Sequence, residues 1–267
     1  MKHHALLAAV AVCIVLLALP ASAECPPGFG YSGFTIPDQW RFVEGWEACS
    51  TPSDTRARQS PVDLQESTFE IETGGDPILI GWGEDAFDVE NSGHDFRITM
   101  KDEASTITIG SEVFVLQNVH LHTRSEHTIN GSHMDAEAHF VHEDADEDIV
   151  VIAVFFRRTA QTSEAWRPIF NALPVNLCRK NPMGSRISLV DLLPREQRDV
   201  PRTEVKNYWR YVGSLTTPKC TEGVRFFFVR PFLEISAGDL QKLATFGENR
   251  RTAIFPLYDR KVYDVRP

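Results

Sequence analysis

The chain has 267 residues, of which 42% are hydrophobic and 24% charged. This composition excludes a disordered, collagen-like or low-complexity protein. With 27 Lys and Arg against 37 Asp and Glu residues, the formal net charge is −10. Such an acidic chain argues against a nucleic-acid or anionic-membrane partner, because phosphate binding needs a basic surface.

The first 23 residues are predicted to be a secretory signal peptide. Lys2 precedes an uncharged apolar run from Ala5 to Leu19, and Ala21-Ser22-Ala23 has the small-x-small form of a cleavage site. The apolar run is shorter than the about 20 residues that a membrane span needs, which favours a cleaved signal over an anchor. We therefore expect a mature chain of residues 24–267 that is secreted or periplasmic and has no membrane span.

Four cysteines remain in the mature chain, namely Cys25, Cys49, Cys178 and Cys220. An even number of cysteines in an oxidising compartment predicts two disulfides. Four cysteines allow three pairings, and their spacing does not select one. Their wide separation argues against a structural zinc site, which uses closely spaced cysteine pairs.

The mature chain is predicted to be a single domain, because it contains no internal repeat and no flexible linker. Residues 24–60 are expected to form an irregular lead-in. Short β-branched or alternating segments predict strands at Ile78–Ile80, Phe87–Val89, Phe96–Met100, Thr106–Ile109, Val113–His122, Ala136–Val141, Ile149–Phe156 and Val224–Val229. Helices are predicted at Ser163–Leu173 and at Ser236–Phe246, where Ser236 and Asp239 resemble a capping box. Because strands dominate, the predicted fold class is mainly β (α+β), with a largely antiparallel sheet and few helices.

Six of the nine histidines lie between His120 and His142. His120 and His122 are two residues apart on a predicted strand, so their side chains point to the same face. Two adjacent imidazoles in a buried site each need a partner, and a cation provides one. His139 follows Glu137 by two residues on the next predicted strand and is the candidate third ligand, with Glu137 as the acceptor that orients it. Three histidines predict a catalytic zinc with an open fourth position for water.

The other histidines of this region favour a simpler interpretation. We interpret His127, His133 and His142 as surface residues or as core residues with satisfied hydrogen bonds. The His-x-His pair alone is also weak evidence for a metal. The carboxylate that precedes the third histidine is what strengthens the metal hypothesis.

Two segments resemble the zinc-binding strands of the α-class carbonic anhydrases. They are V-H-L-H-T-R-S-E-H-T-I-N-G at Val119–Gly131 and A-E-A-H-F-V-H at Ala136–His142. The resemblance continues in Gln59–Asp63, Asn91–His94 and Tyr208–Pro218, and it runs in family order from about Tyr31 to Arg260. Five matches in the same order are far more specific than any one of them.

The resemblance implies an enzyme with one zinc per chain that reversibly hydrates CO₂ to bicarbonate and a proton. His120, His122 and His139 would hold the metal, which lowers the pKa of a bound water to about 7 and makes it a hydroxide nucleophile. The implied fold is a large twisted, mostly antiparallel sheet with the zinc at the base of a cone-shaped cleft. The implied small-molecule substrates are CO₂ and bicarbonate.

The resemblance also assigns roles around the metal. Thr216 would accept a hydrogen bond from the zinc-bound hydroxide and donate one to Glu126, because an ionised carboxylate only accepts. Thr217 would line the substrate side, and His94 would carry the proton to buffer, since imidazole titrates near neutral pH. The apolar CO₂ pocket would consist of Val141, Val151, Leu215 and Val224, which without the resemblance would be interpreted as ordinary core.

Among the departures from the family pattern, three bear on the predicted site. Asn118 stands where a glutamine usually supports the first histidine, so this supporting bond is expected to be shortened or lost. Arg97 replaces a small polar residue beside the proton path and is expected to alter the shuttle. Lys219 stands where a second proline usually follows Pro218, often in a cis bond. We expect a trans bond here, because a cis bond before a non-proline residue costs about 2.5–4 kcal/mol.

In secreted relatives of this type, cysteines at the places of Cys49 and Cys220 are paired. The resemblance therefore implies this bond, and Cys25 would pair with Cys178 or with another chain. A monomer and a dimer both remain open.

A binding or mineral-handling module without catalysis is the alternative function on the same fold. The acidic run Glu143–Asp148 lacks the glycine-punctuated spacing of a calcium loop and is predicted to be a solvated turn. Catalysis is favoured because the three histidines, Thr216 and Glu126 are all retained.

Overall fold

The computed structural model describes residues 29–31, 36–101, 105–176, 178–197, 203–244 and 253–267. The predicted signal peptide, residues 1–23, and Cys25 lie outside these ranges, so the statements about them remain predictions. Within these ranges, no helix is long and apolar enough to cross a membrane.

Strands make up most of the regular structure. They are β1 Asp63–Leu64, β2 Glu70–Thr73, β3 Ile78–Gly81, β4 Glu84–Asp85, β5 Phe87–Asn91, β6 Phe96–Met100, β7 Thr106–Ile109, β8 Glu112–His122, β9 Thr128–Ile129, β10 Ser132–His133, β11 Ala136–Glu143, β12 Ile149–Thr159, β13 Lys180–Pro182, β14 Ile187–Ser188, β15 Thr203–Val205, β16 Tyr208–Ser214, β17 Glu222–Ser236 and β18 Tyr263–Arg266. The α-helices are α1 Pro37–Trp40, α2 Arg167–Ala172 and α3 Ala237–Ala244. Short 3-10 helices lie at Glu66–Thr68, Glu164–Trp166, Leu189–Leu192 and Arg195–Gln197.

Thirteen of these strands form one large sheet. Its order is β13-β5-β6-β8-β11-β12-β17-β16-β18-β2, and β7, β3 and β15 continue from β8 as a branch. Most neighbours are antiparallel, while β12 with β17 and β18 with β2 run parallel. The predicted fold class, mainly β with a mostly antiparallel sheet and few helices, is confirmed.

Every predicted strand is present, and several are longer than the sequence pattern indicated. The late strand, for example, extends to Ser236 as β17. The first predicted helix is a 3-10 turn followed by α2. At the start of α3, the backbone N–H of Asp239 donates to Ser236 Oγ at 3.2 Å, but the Ser236 N–H donates to Thr162 Oγ1. The capping box is therefore only half formed. The predicted end of this helix at Phe246 lies outside the described ranges.

The middle of the sheet is buried on both faces. Successive side chains of β12 alternate between two apolar clusters, with Val150, Ile152, Val154 and Phe156 in one and Val151, Ala153 and Phe155 in the other. A strand that is buried on both sides is apolar at every position, which explains its continuous hydrophobic run. Ala153 lies opposite His139 of β11, so the histidines share the face of the second cluster.

The bond between Cys49 and Cys220 is present, which confirms the pairing implied by the resemblance. It joins the lead-in to the loop after β16, and Trp40 of α1 packs against it. Cys178 is also disulfide-bonded. Because Cys25 lies outside the described ranges, a bond between Cys25 and Cys178 remains a prediction.

The loop that contains Thr216 is tightly closed. The Cys220 N–H donates to the carbonyl of Thr217 at 2.8 Å, and the Leu215 N–H donates to the carbonyl of Thr221 at 2.9 Å. The Pro218–Lys219 peptide bond is cis, so the expectation of a trans bond is wrong. That expectation considered only the local cost and not the disulfide and the hydrogen bonds that hold this loop.

Candidate metal centre

Three histidines from two neighbouring strands converge at one point. His120 of β8 lies directly opposite His139 of β11, and His122 follows two residues later on the same face. The ring centroids are 4.7–5.1 Å apart, and one nitrogen of each ring lies within 4.8 Å of the others. His122 and His139 are buried, whereas His120 is half-buried. The fold therefore assembles the predicted ligand set.

Hydrogen bonds to two acceptors determine which nitrogens are available to a metal. His120 Nδ1 lies 2.8 Å from Asn118 Oδ1, and His139 Nε2 lies 2.7 Å from Glu137 Oε1. Since a carboxylate or amide oxygen accepts, each of these histidine nitrogens donates its hydrogen. The opposite nitrogens, His120 Nε2 and His139 Nδ1, then carry lone pairs that face each other at 3.3 Å. Asn118 thus reaches His120, so this supporting bond is not lost.

This geometry fits a tetrahedral zinc ion. Zinc–nitrogen bonds of about 2.0–2.1 Å at tetrahedral angles place two ligand nitrogens about 3.3–3.4 Å apart. His122 Nε2 is buried and has no hydrogen-bond partner among the residues that the structure describes. Burial, followed by the charges of His122 and His139, lowers the pKa of His120 well below its usual value. A proton is therefore a poor bridge between these rings, and the donor set suits a divalent cation.

Glu137 is a buried carboxylate at the centre of a hydrogen-bond network. Its Oε2 accepts the backbone N–H groups of Glu126 and His127 at 2.8 and 3.0 Å, and its Oε1 accepts from the rings of His127 and His139. Burial alone would raise the pKa of Glu137, but His127 and His139 outweigh it and the pKa lies well below the usual range. Glu137 is therefore ionised and orients His139.

The network continues to groups to which the sequence pattern assigned no role. His127 Nε2 lies 2.7 Å from the hydroxyl of Tyr211, which lies 2.6 Å from Ser60 Oγ. A side chain at Gly213 would place its Cβ 2.1 Å from the same Ser60 Oγ, so only glycine fits there. His127 is thus a fully buried core residue with satisfied hydrogen bonds, as interpreted from the sequence. Ser60 and Tyr211 lie in Gln59–Asp63 and Tyr208–Pro218, two of the segments that carry the resemblance. Their place in these segments was the one sequence feature that could have indicated a role for them.

Glu126 and Thr216 lie beside the histidines. Glu126 Oε2 is 3.4 Å from His122 Nε2 and 3.8 Å from His139 Nδ1. Burial raises the pKa of Glu126, while His122 and, more weakly, Thr216 lower it. Neither carboxylate oxygen has an aligned hydrogen-bond partner in the described part of the chain. A divalent cation at the histidines would favour the ionised form of Glu126, because opposite charges within about 4–6 Å do so.

The structure places two further predicted site residues in loops. Thr217 is half-buried, and its carbonyl accepts the Cys220 N–H. His94 lies in the turn between β5 and β6, beyond the point where Phe96 pairs with Leu121 of β8. The half-buried His94 ring stacks on Phe29 with centroids 4.1 Å apart.

The four apolar residues predicted to form the CO₂ pocket come together in the second cluster. Val151 and Val224 are buried there, and Val141 and Leu215 are partly buried against it. Val141 lies opposite Val151 and two residues after His139, so it shares the face of the histidines. The arrangement gives the metal centre an apolar wall.

The remaining predictions for this region concern His133, His142 and the acidic run. His133 Nδ1 bonds the carbonyl of Ser125, and His142 Nε2 accepts from Trp82. Asp144 Oδ1 accepts the backbone N–H groups of Asp146 and Asp148, which closes the predicted turn between β11 and β12. None of these hydrogen bonds involves a member of the three-histidine cluster.

Comparison with known proteins identifies related sequences and folds. The family model for eukaryotic-type carbonic anhydrase matches residues 36–263. A carbonic anhydrase of Neisseria gonorrhoeae is 30% identical over 259 residues, which cover 94% of this chain and 95% of the relative. One of Klebsiella pneumoniae is 30% identical over 88% of this chain and 90% of its own length. The α-carbonic anhydrase of Thermovibrio ammonificans, solved with the inhibitor sulfanilamide, superimposes with a TM-score of 0.77 and 31% identity, covering 89% of this chain and 99% of that one.

Proposed function

Since this chain belongs to the eukaryotic-type (α-class) carbonic anhydrase family, we propose that it hydrates CO₂ reversibly with one zinc ion held by His120, His122 and His139. The observation that carries the proposal is the pair of lone-pair nitrogens on His120 and His139, which are 3.3 Å apart beside the unpartnered His122 Nε2. Bound zinc would supply an activated water, because the metal lowers the pKa of that water to about 7.

Asn118 and Glu137 would hold the ligands in place. Each accepts the hydrogen of one ring nitrogen, so the lone pair of the other nitrogen is directed at the metal. The ionised state of Glu137 makes its bond to His139 a charge-assisted one, which is stronger than a neutral hydrogen bond. The ligands are thereby oriented before zinc binds.

Thr216 would orient the nucleophile. Its hydroxyl would donate to Glu126 and accept from the activated water, which aims the oxygen lone pair of the water at the carbon of CO₂. The role requires Glu126 to be ionised and close to Thr216, and the charge of a metal dication favours that state. Thr217, which follows in the same loop, would line the substrate side.

CO₂ is apolar and has no charge for a cationic clamp to hold. Val141, Val151, Leu215 and Val224 would therefore bind it by burial against the apolar wall beside the histidines. The polar groups that act on CO₂ would be confined to the metal side of the site.

His94 would move the proton that the activated water releases. Its half-buried imidazole can exchange protons with solvent, and imidazole is the side chain whose ordinary pKa suits transfer at neutral pH. The stacked ring of Phe29 limits the orientations that His94 can adopt.

The chain would act outside the cytoplasm, after cleavage behind Ala23. The bond between Cys49 and Cys220 supports this location, because such bonds persist in oxidising compartments.

The direct test is stopped-flow CO₂ hydration by the mature chain, residues 24–267, with bound zinc counted on the same sample. We expect one zinc per chain and hydration that a strong chelator removes and added zinc restores. A folded, zinc-loaded chain that does not hydrate CO₂ would instead support the binding-module alternative.

A further inference from the structure

Arg97 is an exposed residue, yet its position on the sheet aligns it with the candidate zinc ligands. It lies on β6 directly opposite His120 of β8, and His120 in turn lies opposite His139 of β11. Residues directly opposite each other in antiparallel strands project to the same face. Arg97 is thus in one row with two of the candidate zinc ligands. On its other side lies Glu90 of β5, whose carboxylate is paired with Lys180. The Arg97 side chain is 46% exposed.

Most of the hydrogen-bond donors of Arg97 are not used by the described residues. Its Nη2 contacts Asp95 Oδ2 at 3.3 Å, and this is its one ion pair among the residues described. The Asp95 side chain is only 10% exposed and also accepts from the Ser92 hydroxyl at 2.5 Å. Since a guanidinium has five N–H donors, most of those on Arg97 remain available toward solvent. The carboxylate is held inward by Ser92 while the guanidinium extends outward.

Arg97 brings a positive charge to the row of residues that contains His120. Asp95 lies in the turn just before β6, and Glu126 is a buried carboxyl beside the histidines. An anion that approaches this row from solvent therefore meets the half-exposed guanidinium before it reaches the buried carboxylate.

We propose that Arg97 is an anion-recognition residue of this site, which binds planar carboxylate-like anions, including the bicarbonate product, as they enter or leave. The proposal rests on the proposed function, since it places these anions beside the bound metal. A guanidinium presents parallel N–H groups that match two oxygens of such an anion, whereas a lysine presents only a point charge. Arg97 therefore distinguishes anions by shape as well as by charge.

The test compares a planar anion, formate, with a spherical one, iodide. Their dissociation constants are measured at constant low ionic strength from the visible spectrum of the cobalt(II)-substituted mature chain and, independently, from inhibition of CO₂ hydration. In Arg97→Gln we expect formate to bind about three- to tenfold more weakly, the range for losing one partly exposed charged contact. Iodide should also bind more weakly in Arg97→Gln, because the positive charge is lost. Arg97→Lys should restore the binding of iodide but not that of formate.

Two further variants serve as controls. Arg157→Gln removes the same charge from an exposed arginine that lines a different cavity, and anion binding should not change. Asp95→Asn removes the partner of Arg97, so formate should bind more tightly. Melting curves of all variants show whether the fold is retained.

The outcomes separate this inference from the proposed function. Unchanged formate binding in Arg97→Gln, with metal still bound, overturns the inference alone. Equal restoration of both anions by Arg97→Lys also overturns it, because only charge would then matter. A wild-type chain that binds no metal overturns the proposed function, and this inference with it.

Discussion

Nε2 of His120 lies 3.3 Å from Nδ1 of His139, and neither nitrogen carries a hydrogen in the tautomers that Asn118 and Glu137 impose. Two lone pairs at this distance repel each other unless a cation lies between them. The pair is therefore arranged to bind a cation. The distance between the two nitrogens equals that between two nitrogen ligands of a tetrahedral zinc ion, about 3.3–3.4 Å. The first prediction follows from this arrangement.

Replacing His122 by Ala should abolish zinc binding at stoichiometric zinc and, with it, CO₂ hydration. The variant leaves two ligands, and a catalytic zinc site needs three. Zinc content after gel filtration and stopped-flow hydration measure the two effects. His133→Ala is the matched control, because His133 bonds the Ser125 carbonyl and not the cluster. Full zinc content in His122→Ala would show that the ligand set is wrong.

Replacing Thr216 by Ala should lower kcat about 100-fold without loss of zinc, the scale for removing one hydrogen bond aimed at the reacting group. Thr216 is buried beside Glu126 but is not a member of the three-histidine cluster. Steady-state hydration and zinc analysis on the same sample test this. Thr216→Ser keeps the hydroxyl and should retain most of the activity. Loss of zinc in Thr216→Ala would instead give this residue a structural role.

Replacing His94 by Ala should lower kcat in dilute buffer, and added imidazole should restore part of it. A side chain whose only task is to transfer a proton can be replaced by a small diffusible base. Hydration rates with increasing imidazole, in the variant and the wild type, provide the measurement. If the variant is as fast as the wild type in dilute buffer, the proton leaves by another route.

His142 should make the fold less stable at acid pH. Burial lowers its pKa from 6.5 to about 3, and its Nε2 accepts from the indole N–H of Trp82. As the pH falls from about 6.5 toward 3, the unfolded chain gains a proton here that the folded chain does not. This lowers the free energy of unfolding by about 1.4 kcal/mol per pH unit.

The measurement is urea unfolding between pH 6.5 and 4.5, for the wild type and for His142→Gln. Glutamine keeps an acceptor for Trp82 but does not titrate, so the pH slope of the variant should be smaller by this amount. Parallel slopes for the two proteins would show that His142 does not carry the effect.

Removing the bond between Cys49 and Cys220 should destabilise the fold. It closes a loop with a sequence separation of 171 residues. The chain-entropy argument gives a loss of up to about 5 kcal/mol in the free energy of unfolding. Urea unfolding of Cys49→Ser/Cys220→Ser against the wild type tests this value. Hydration should also fall, because the bond anchors the loop that holds Thr216. An unchanged unfolding midpoint would contradict the prediction.

Local patterns were enough to predict much of this protein. The alternation of β-branched residues gave the strands of the central sheet, because side chains alternate between the two faces of a strand. The same alternation placed His120 and His122 on one face. It did not predict β16, whose motif was interpreted only as part of the resemblance, nor the parallel pairing of β12 with β17. Strand pairing depends on contacts between segments that are far apart in the sequence.

The chemistry of the site was decided by such long-range contacts. The sequence by itself determined which residue types are present: three histidines at strand spacing, a carboxylate two residues before the third, and an even number of cysteines. Only the tertiary structure decided that His139 lies opposite His120 and that Tyr211 supports His127 across 84 residues of chain. Strand register and the support of His127 are set by partners that folding brings together, and periodicity along one segment contains no information about them.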